Sequence, residues 1–463
     1  MARRLLIRGA FVISMDRDVG DLLPGDILVE DDQIAAIGRA LDVEDAEVVD
    51  ATNSIAIPGF VDTHRHTWET VIRGVAPDVT LGEYFAIVLD AFAPAYRPQD
   101  VGVSNYLGAL EAVNSGITTL LDWSHINNTP EHADAGIDGL RRAGLRAVYC
   151  HGTPNTSLAE WWGESTNEHP EDVRRIRDQY FATDDGLMTL AMATRGPGFC
   201  TDEVVRHDWE LARDIGAPIS VHVNMGPQAG RFSMVKQLDR LGLLGEDTTY
   251  IHCNYLSDEE IRLIAETGGK TSIAPLVEMQ MGHGLPPTGR LLEAGIRPSL
   301  SIDVTTTVPG DLFTQMRIMH ATERVLEHER AFAEERDADV SKLVTVRDVL
   351  EFATYQGARV CGLEDRTGSL TPGKQADIVL LKADEINLFP VIDPVSNVVL
   401  QADTSNVDTV MVAGRFLKRD GKLLAGDLRS AREEIAASLD YLMSKVEKQP
   451  HWVQARGATG HAS

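Results

Sequence analysis

The 463-residue chain is poor in aromatic side chains, cysteine and positive charge, and it contains no long apolar run. Only 6% of its residues are aromatic, whereas 43% are hydrophobic, which is typical of a globular protein with a large core. None of the four cysteines belongs to a CxxC pair, which predicts reduced thiols and a cytoplasmic protein. They are Cys150, Cys200, Cys253 and Cys361.

The scarcity of positive charge limits the classes of partner. Lysine and arginine total 43 against 70 for aspartate and glutamate, so the formal net charge is -27. Such a surface repels phosphate backbones and anionic lipids, which argues against nucleic acid and membranes as partners. No apolar run reaches about 18 residues, the length of a membrane span, and Arg8 interrupts the amino-terminal apolar stretch, which has no cleavage site. We expect a small-molecule substrate instead.

Short β-like runs separated by turn residues occur at both ends of the chain. They include "LLIRGAFVISM" and "GDILVEDDQIAAIG" near the start, and "GKQADIVLLKA" and "VDTVMVAGRFLKR" near the end. Two such segments around a long middle predict one small β-sandwich built from both ends. The predicted domains are 1–56 (first part of the sandwich), 57–364 (the middle domain), 365–426 (second part of the sandwich) and 427–463 (a helix and tail).

The middle domain alternates apolar, strand-like runs with amphipathic, helix-like segments. Thr201 and Ser257 precede acidic residues at the start of two of these segments, as helix N-caps do. Eight strand–helix units predict an α/β fold of the (β/α)8 TIM-barrel type. The eight runs are "IAIPGFVDTH", "ITTLLDWS", "RAVYCHGT", "LMTLAMAT", "PISVHV", "TTYIHC", "TSIAPLV" and "IRPSLSID".

Polar side chains close four of these apolar runs, at the end of the barrel where catalytic groups gather. A single histidine at a strand end is usually a structural group. Several such residues in one barrel are hard to explain by chance, and a buried imidazole or carboxylate requires a partner. The set therefore predicts a metal site. Its candidate residues are His64 and His66 on the first strand, His222 on the fifth, His252 on the sixth and Asp303 on the eighth.

The chain resembles the amidohydrolase superfamily, in particular its cytosine-deaminase-like, guanine-deaminase-like and s-triazine hydrolase branch. The resemblance extends to about Leu424 and rests on the strand-end residues together with several flanking stretches. These stretches are "PGFVDTHRH", "GITTLLD", "HCNYLSDEE", "MGHGLPPTGRLLEAGI", "GDLFTQMR" and "GSLTPGKQADIVLL".

The resemblance implies a role for each strand-end residue. His64, His66, His222 and Asp303 would be metal ligands, and His252 would be a catalytic histidine beside the metal. Two-metal members of the superfamily carry a bridging ligand on the fourth strand, but "LMTLAMAT" has no Lys, Cys or Glu, so we expect one divalent ion. Imidazole and carboxylate ligands suit Zn²⁺, while Fe²⁺, Co²⁺ and Mn²⁺ are alternatives.

This ligand set also predicts a mechanism. The metal would lower the pKa of a bound water to about 7. Asp303 would accept the water proton and pass it to the leaving group, and His252 would polarise the electrophilic centre of the substrate. The expected reaction is hydrolysis at a trigonal carbon, usually with loss of an amine.

One position departs from the pattern of the deaminases in this branch. They commonly carry Glu three residues after the fifth-strand histidine, where it moves a proton to a ring nitrogen, but this chain has Met225. A thioether cannot transfer a proton. Glu278, expected at the end of the seventh strand, is a candidate replacement, although a structural role is about as consistent with the sequence. Hydrolysis of an amide, urea, carbamate or thiocarbamate therefore competes with deamination.

Other side chains are predicted to face the substrate pocket. With Met225 and Glu278, the candidate substrate contacts are His283 in a Gly-His-Gly loop, Arg195 after the fourth strand and Trp68 beyond the first strand. The long 155–174 segment, which contains Trp161 and Trp162, is predicted to form a lid.

The sequence therefore predicts a metal-dependent hydrolase that cleaves a C–N bond of a small molecule with a metal-activated water. Family resemblance implies a homo-oligomer. One alternative is a hydrolase of the same architecture that releases ammonia, halide or thiolate from a heterocycle. A more distant alternative is a catalytically silent barrel with a structural role.

Overall fold

Two β-sheets organise the protein. The computed structural model describes residues 3–226, 230–424 and 428–446, so most of the predicted carboxy-terminal tail, from 447 to 463, lies outside the described residues. In chain order, the first sheet begins with β1 (Arg4–Ile13), β2 (Asp21–Glu30), β3 (Gln33–Gly38), β4 (Glu47–Asp50) and β5 (Ser54–Pro58).

The barrel strands follow. They are β6 (Phe60–Arg65), β7 (Ile117–Ser124), β8 (Arg146–His151), β9 (Met188–Thr194), β10 (Ile219–Val223), β11 (Thr248–His252), β12 (Lys270–Ile273) and β13 (Ser299–Leu300). The first sheet is then completed by β14 (Ile378–Lys382), β15 (Val407–Val412), β16 (Arg415–Arg419) and β17 (Lys422–Leu423).

Helices fill the connections. Those between barrel strands are Leu81–Tyr84, Pro98–Asn114, Pro130–Ala143, Leu158–Trp162, Asp172–Tyr180, Asp202–Asp214, Met234–Arg240, Asp258–Thr267, Pro275–Gln280 and Thr288–Glu293. Those after the barrel are Leu312–Ala333, Val346–Phe352, Tyr355–Val360, Pro394–Ser396 and Leu428–Val446. Short 3-10 helices span Thr67–Ile72, Ala93–Ala95, Val340–Lys342 and Thr404–Asn406, and π-helical turns span Phe85–Phe92 and Asn397–Gln401.

The eight-stranded sheet confirms the predicted barrel. Its strands are parallel and run in sequence order from β6 to β13. Asp303, just after β13, closes the ring against β6, because its N–H donates to the His64 carbonyl and its carbonyl accepts from the His66 N–H, each at 2.9 Å. Of the predicted strands, "TSIAPLV" is shorter than expected, because Pro275 begins a helix directly after β12.

The second sheet confirms that both chain ends build one small domain. β5 pairs antiparallel with β14, so that strands from the two ends are neighbours in one continuous, mixed sheet of nine strands. Apolar side chains of β1, β2, β3 and β14 pack into a core of their own, separate from that of the barrel.

The run "IAIPGFVDTH" forms two strands rather than the single one expected. β5 belongs to the terminal sheet and β6 to the barrel, with Gly59 between them. A Cβ atom at Gly59 would lie 2.0 Å from the Thr118 hydroxyl oxygen, so only glycine allows the chain to pass this close to β7. The domain change therefore occurs at a position that the hydrophobic pattern does not mark.

Two predicted helix starts are confirmed. The Thr201 side chain accepts a hydrogen bond from the Val204 N–H, and Ser257 forms a capping box with Glu260. Both helices flank barrel strands that end in site histidines. No helix in the described part of the chain is long and apolar enough to cross a membrane.

A buried ion pair joins the barrel to the terminal sheet. The Arg146 guanidinium, at the start of β8, donates to both carboxylate oxygens of Asp377 at 2.9 and 3.1 Å. Both side chains are fully buried, and Asp377 also accepts from the Thr367 hydroxyl and the Ala413 N–H. The Asp377 carboxylate thus accepts hydrogen bonds from both the barrel and the terminal sheet domain.

Arg146→Met is expected to lower the free energy of unfolding by about 3–5 kcal/mol, because it leaves the Asp377 carboxylate buried without its cation. Chemical denaturation checks this value. Arg262→Met, which breaks an exposed pair with Glu266 on one helix, is the matched control and should cost less than about 1 kcal/mol. Equal effects of the two substitutions would contradict the role assigned to the buried pair.

Candidate active site

Four barrel strands bring the predicted site residues to one end of the barrel. His64 lies within β6 and His66 directly follows it, His222 lies on β10, His252 ends β11, and Asp303 follows β13. The backbone of His252 and of Asp303 is left-handed, with φ of 71° and 72°. This conformation costs a non-glycine residue about 1–3 kcal/mol and is typical of functional positions.

Three imidazoles and one carboxylate converge on a common point. The His64 Nε2 atom lies 3.1 Å from the His222 Nε2 atom and 3.1 Å from the Asp303 Oδ1 atom. The His66 Nε2 atom lies 3.2 Å from the same carboxylate oxygen. The potential ligand atoms of these four buried residues all lie within 4.8 Å of one another. The donor set fits one divalent metal ion of the kind that imidazole and carboxylate prefer.

The surroundings of these four groups shift their pKa values in different directions. Burial lowers the pKa of His64 to about 3 and the pKa of His222 well below its usual value. Burial alone would raise the pKa of Asp303, but the adjacent His64 and His66 imidazoles hold it well below its usual range. Burial therefore favours neutral imidazoles at His64 and His222, and Asp303 is held ionised, which are the forms that bind a metal. Burial also acts to lower the pKa of His66, but the neighbouring Asp303 carboxylate outweighs it and raises that pKa above its usual value.

His252 is held by a carboxylate on the side away from the cavity. Its Nδ1 atom donates to the Glu278 Oε1 atom at 3.1 Å, and Glu278 also accepts from the Ala274 N–H at 2.7 Å and from the Asn254 amide at 3.1 Å. Its Nε2 atom faces Asp303 Oδ2 at 3.8 Å. Glu278 thus fixes the imidazole with Nε2 free to act on a substrate.

A small cavity lies over the four converging residues. Its volume is about 30 Å³, roughly the space that one or two water molecules occupy. Its lining is largely apolar, and Asp303 is the one carboxylate in it. The lining residues are His66, Leu81, Tyr84, Phe85, Leu89, His125, Trp162, His222, Met225, His252, Met281, His283, Asp303 and Val304.

The 155–174 segment contributes one side chain, Trp162, to the roof of the cavity. Trp162 reaches the cavity, with its ring centroid 6.1 Å from that of Phe85 and 5.7 Å from that of His125. The helix Leu158–Trp162 has no fully buried residue. Because the cavity has room for only one or two water molecules, a larger substrate requires its lining to rearrange.

The five predicted substrate contacts fall into two groups. Met225 and His283 line the cavity, whereas Arg195, Trp68 and Glu278 do not. Arg195 is buried beneath the roof, where it donates to the carbonyls of Trp161 and Asn167.

Trp68 packs edge-on against Tyr96 and His125. Glu278 lies on the helix Pro275–Gln280, behind His252, rather than at a strand end. Arg195, Trp68 and Glu278 therefore lie outside the cavity, where Arg195 and Trp68 pack behind its lining and Glu278 contacts His252.

His283 has no hydrogen-bond partner for either ring nitrogen among the described residues, although it is buried. Burial and the neighbouring His252 lower its pKa to about 3. A neutral imidazole carries one donor and one acceptor, so His283 offers both to a molecule in the cavity.

Sequence reasoning missed two polar groups near the site. His125 directly follows β7 and lines the cavity; it carries the same signal as the predicted ligands, a histidine just after an apolar run. Glu69 lies behind the wall, where its carboxylate accepts hydrogen bonds from Tyr84 at 2.5 Å and Thr306 at 3.1 Å. Burial raises the Glu69 pKa to about 7. No sequence signal distinguishes Glu69 from an exposed glutamate.

An eight-stranded parallel barrel with a histidine and aspartate cluster at its carboxyl end defines a class of metal-dependent hydrolases. Residues 55–417 match the Amidohydrolase family, and the chain belongs to this family. It is an enzyme that hydrolyses C–N bonds, other than peptide bonds, in small molecules.

Similar proteins include deaminases. The 5'-deoxyadenosine deaminase of Methanosarcina mazei is 30% identical over 96% of this chain and 99% of its own length. The structure of an adenosine deaminase from Xanthomonas campestris with bound zinc has a TM-score of 0.82 and 22% identity, over 95% of this chain and 98% of that one. The structure of atrazine chlorohydrolase from Arthrobacter aurescens TC1 with zinc also has a TM-score of 0.82 and 22% identity, over 94% and 100%.

Proposed function

We propose that His64, His66, His222 and Asp303 hold one zinc ion and that the protein releases ammonia from an uncharged amino-substituted heterocycle. The convergence of three imidazole nitrogens and one carboxylate oxygen within 4.8 Å carries this proposal. These residues would hold the ion, which when bound would supply Lewis-acid activation of the attacking water at neutral pH.

The chain's own residues perform the proton transfers. Asp303, whose pKa is held low by the adjacent His64 and His66 imidazoles, would accept the proton of the attacking water. His252 Nε2, 3.8 Å from Asp303 Oδ2, is placed to receive this proton and to give it to the substrate nitrogen. Glu278 stabilises His252 in the orientation that this transfer requires, as the aspartate of a catalytic triad does for its histidine.

Met225 makes this route necessary. The carboxylate that related deaminases carry at this position is replaced by a thioether, and Asp303 is the one carboxylate in the cavity lining. Glu278 does not reach the cavity, so its contribution passes through His252. Two kinds of substrate require the least proton transfer from this site. One is a heterocycle whose ring carbon carries a good leaving amine, and the other is a cyclic amide or urea.

The cavity favours uncharged substrates. No lysine or arginine lines it, and its walls are mainly Leu, Phe, Trp, Met and Val side chains. A substrate carboxylate or phosphate there would be buried without a cation other than the metal, which is costly.

The experiment is a panel assay on the zinc-loaded enzyme. Adenosine, 5'-deoxyadenosine, cytosine, guanine and aminotriazines are tested for ammonia release, and cyclic and acyclic amides, ureas and carbamates for amine release. Ammonia release from at least one amino-heterocycle supports the proposal. Amine release from ureas or carbamates alone would overturn the deaminase assignment, and a chain that never binds metal would overturn the site.

Glu278→Gln is expected to lower kcat by about 10- to 100-fold with little change in KM, because the amide holds His252 without a charge and competes with the Asn254 donor. Steady-state kinetics and zinc content check this. Glu323→Gln, at another buried glutamate remote from the cavity, is the control. A kcat within twofold of the parent enzyme would show that Glu278 is only structural.

Met225→Glu is expected to raise kcat/KM for amino-heterocycles by about 10- to 100-fold, because it supplies a second proton-transfer group in the cavity. Rates with ureas and carbamates should stay unchanged, since no ring nitrogen must be protonated there. Met225→Gln, of similar size but without the acid, controls for shape. Unchanged rates with every substrate would contradict the role assigned to this position.

Oligomeric state and location remain predictions from the sequence. Family resemblance predicts a homo-oligomer, and the cysteine pattern predicts a cytoplasmic enzyme. Light scattering on the purified enzyme tests the first of these, with a single monomer mass as the opposing result.

A further inference from the structure

Two N–H donors converge on one nitrogen of His125. The indole N–H of Trp68 donates to the Nδ1 atom at 3.3 Å. The Nδ1 atom of His66 lies 3.1 Å from the same atom. His66 turns its Nε2 atom towards the candidate ligand cluster. With a metal on Nε2, the His66 proton would reside on Nδ1, where it would be shared between His125 and the Trp123 carbonyl at 3.1 Å.

This arrangement decides which nitrogen of His125 carries the proton. An indole nitrogen is a donor only, and a proton on His125 Nδ1 would face both N–H groups. The one carbonyl near Nδ1, that of Trp123, lies at 3.4 Å and already accepts from His66. His125 is therefore neutral, with a lone pair on Nδ1 and its proton on Nε2.

The Nε2 atom of His125 is on the side of the ring away from these donors. No described residue forms a hydrogen bond with this atom, and protein atoms do not fully enclose it. His125 lines the cavity beside His66 and His222. The proton on Nε2 thus points into the space where the substrate binds.

We infer that His125 is a specificity-determining residue, whose Nε2–H, fixed by the Trp68 indole, requires a hydrogen-bond acceptor on the substrate. This inference rests on the proposed function and narrows its substrate class. The substrate presents an unprotonated ring nitrogen or a carbonyl oxygen on the side that faces His125. A substrate with a C–H or an N–H there leaves the buried donor unpaired, which is what gives polar pockets their selectivity.

The same contacts exclude a second metal at this corner. His66, Glu69 and His125 are close enough to hold an ion. However, the His125 Nδ1 lone pair is occupied by Trp68 and His66, and the Glu69 carboxylate accepts from Tyr84 and Thr306. His66 and Glu69 thus belong to the hydrogen-bonded surroundings of His125 and do not form a second metal site with it.

The first test reads the tautomer directly. Zinc-loaded protein with ¹⁵N-labelled histidine is examined by NMR, and the His125 signals are assigned by their loss in His125→Gln. A protonated Nε2 and an unprotonated Nδ1 are expected, with a shift towards the other tautomer in Trp68→Phe. Trp209→Phe, at a buried tryptophan whose indole nitrogen has no partner and lies outside the cavity, should leave the His125 signals unchanged.

The second test uses kinetics with paired substrates. Adenine-ring compounds are compared with analogues in which one ring nitrogen is replaced by C–H. His125→Phe is expected to lose about 10- to 100-fold in kcat/KM for the parent compounds, mainly through KM, and to lose the preference within one pair. His125→Gln, which retains an amide N–H near the position of Nε2, should recover most of the activity.

The two arms separate failure of the inference from failure of the proposed function. A proton on Nδ1, or a tautomer indifferent to Trp68→Phe, overturns the inference whether or not a substrate is known. Absence of hydrolysis with every compound overturns the proposed function and leaves the NMR result to decide the role of Trp68. An unchanged preference between the paired substrates in His125→Phe also overturns the inference.

Discussion

Asp303→Asn is expected to lower kcat by at least about four orders of magnitude, because the substitution removes both a metal ligand and the group that accepts the water proton. The carboxylate lies within 3.2 Å of His64 and His66, and 3.8 Å from His252. An amide at this position is a weaker ligand and no base. The zinc content of the purified variant should fall together with its activity.

Two measurements isolate this effect. Metal analysis and thermal unfolding distinguish a lost ligand from a misfolded protein, since a folded variant without zinc is the expected product. Asp208→Asn changes another buried aspartate, paired with Arg195 beneath the roof, and should retain its zinc. If Asp303→Asn kept full zinc and full activity, the assigned metal site would be wrong.

His252→Asn is expected to lower kcat by about 10²- to 10⁴-fold while the zinc content stays at the parent level, because in the proposed mechanism His252 transfers a proton and is not a ligand. Its Nδ1 atom is bonded to Glu278 and its Nε2 atom faces Asp303. Adding Glu278→Gln to His252→Asn should cost little more, since Glu278 acts through the imidazole.

The contrast with Asp303→Asn is the diagnostic result. One variant loses its metal and its activity, whereas the other loses activity alone. His169→Asn, at a buried histidine outside the cavity, controls for the loss of a buried imidazole. Loss of zinc in His252→Asn would place this histidine among the ligands and contradict the proposed proton route.

The sequence allowed the barrel and its cluster to be predicted for a definite physical reason. In a parallel barrel, each buried strand is an apolar run, and the catalytic end is where that run stops. His64, His222 and Asp303 each close such a run, so their convergence follows once the strands are counted in order. The same signal marked His125, which was overlooked because the resemblance assigns it no role.

Other features depended on three-dimensional detail. The run "TSIAPLV" reads as a strand, but Pro275 starts a helix that places Glu278 behind His252 rather than in the cavity. The roof brings together Leu81, Phe85 and Trp162 from two separate connections. No periodic pattern reports how two loops pack on each other. Arg195 and Trp68 also lie near strand ends, where the sequence suggests a substrate contact. In the structure, both side chains pack behind the residues that line the cavity.

The pairing of β5 with β14 has a consequence for biosynthesis. Pro58 is opposite Ile378, so the amino-terminal strands leave the ribosome long before the strand that covers their edge has been translated. Until then, the exposed β5 edge is open to pairing with other nascent chains. Chaperone demand during synthesis should therefore be concentrated on the first strands, and a shortened chain that ends before Ile378 should aggregate although its barrel strands are all present.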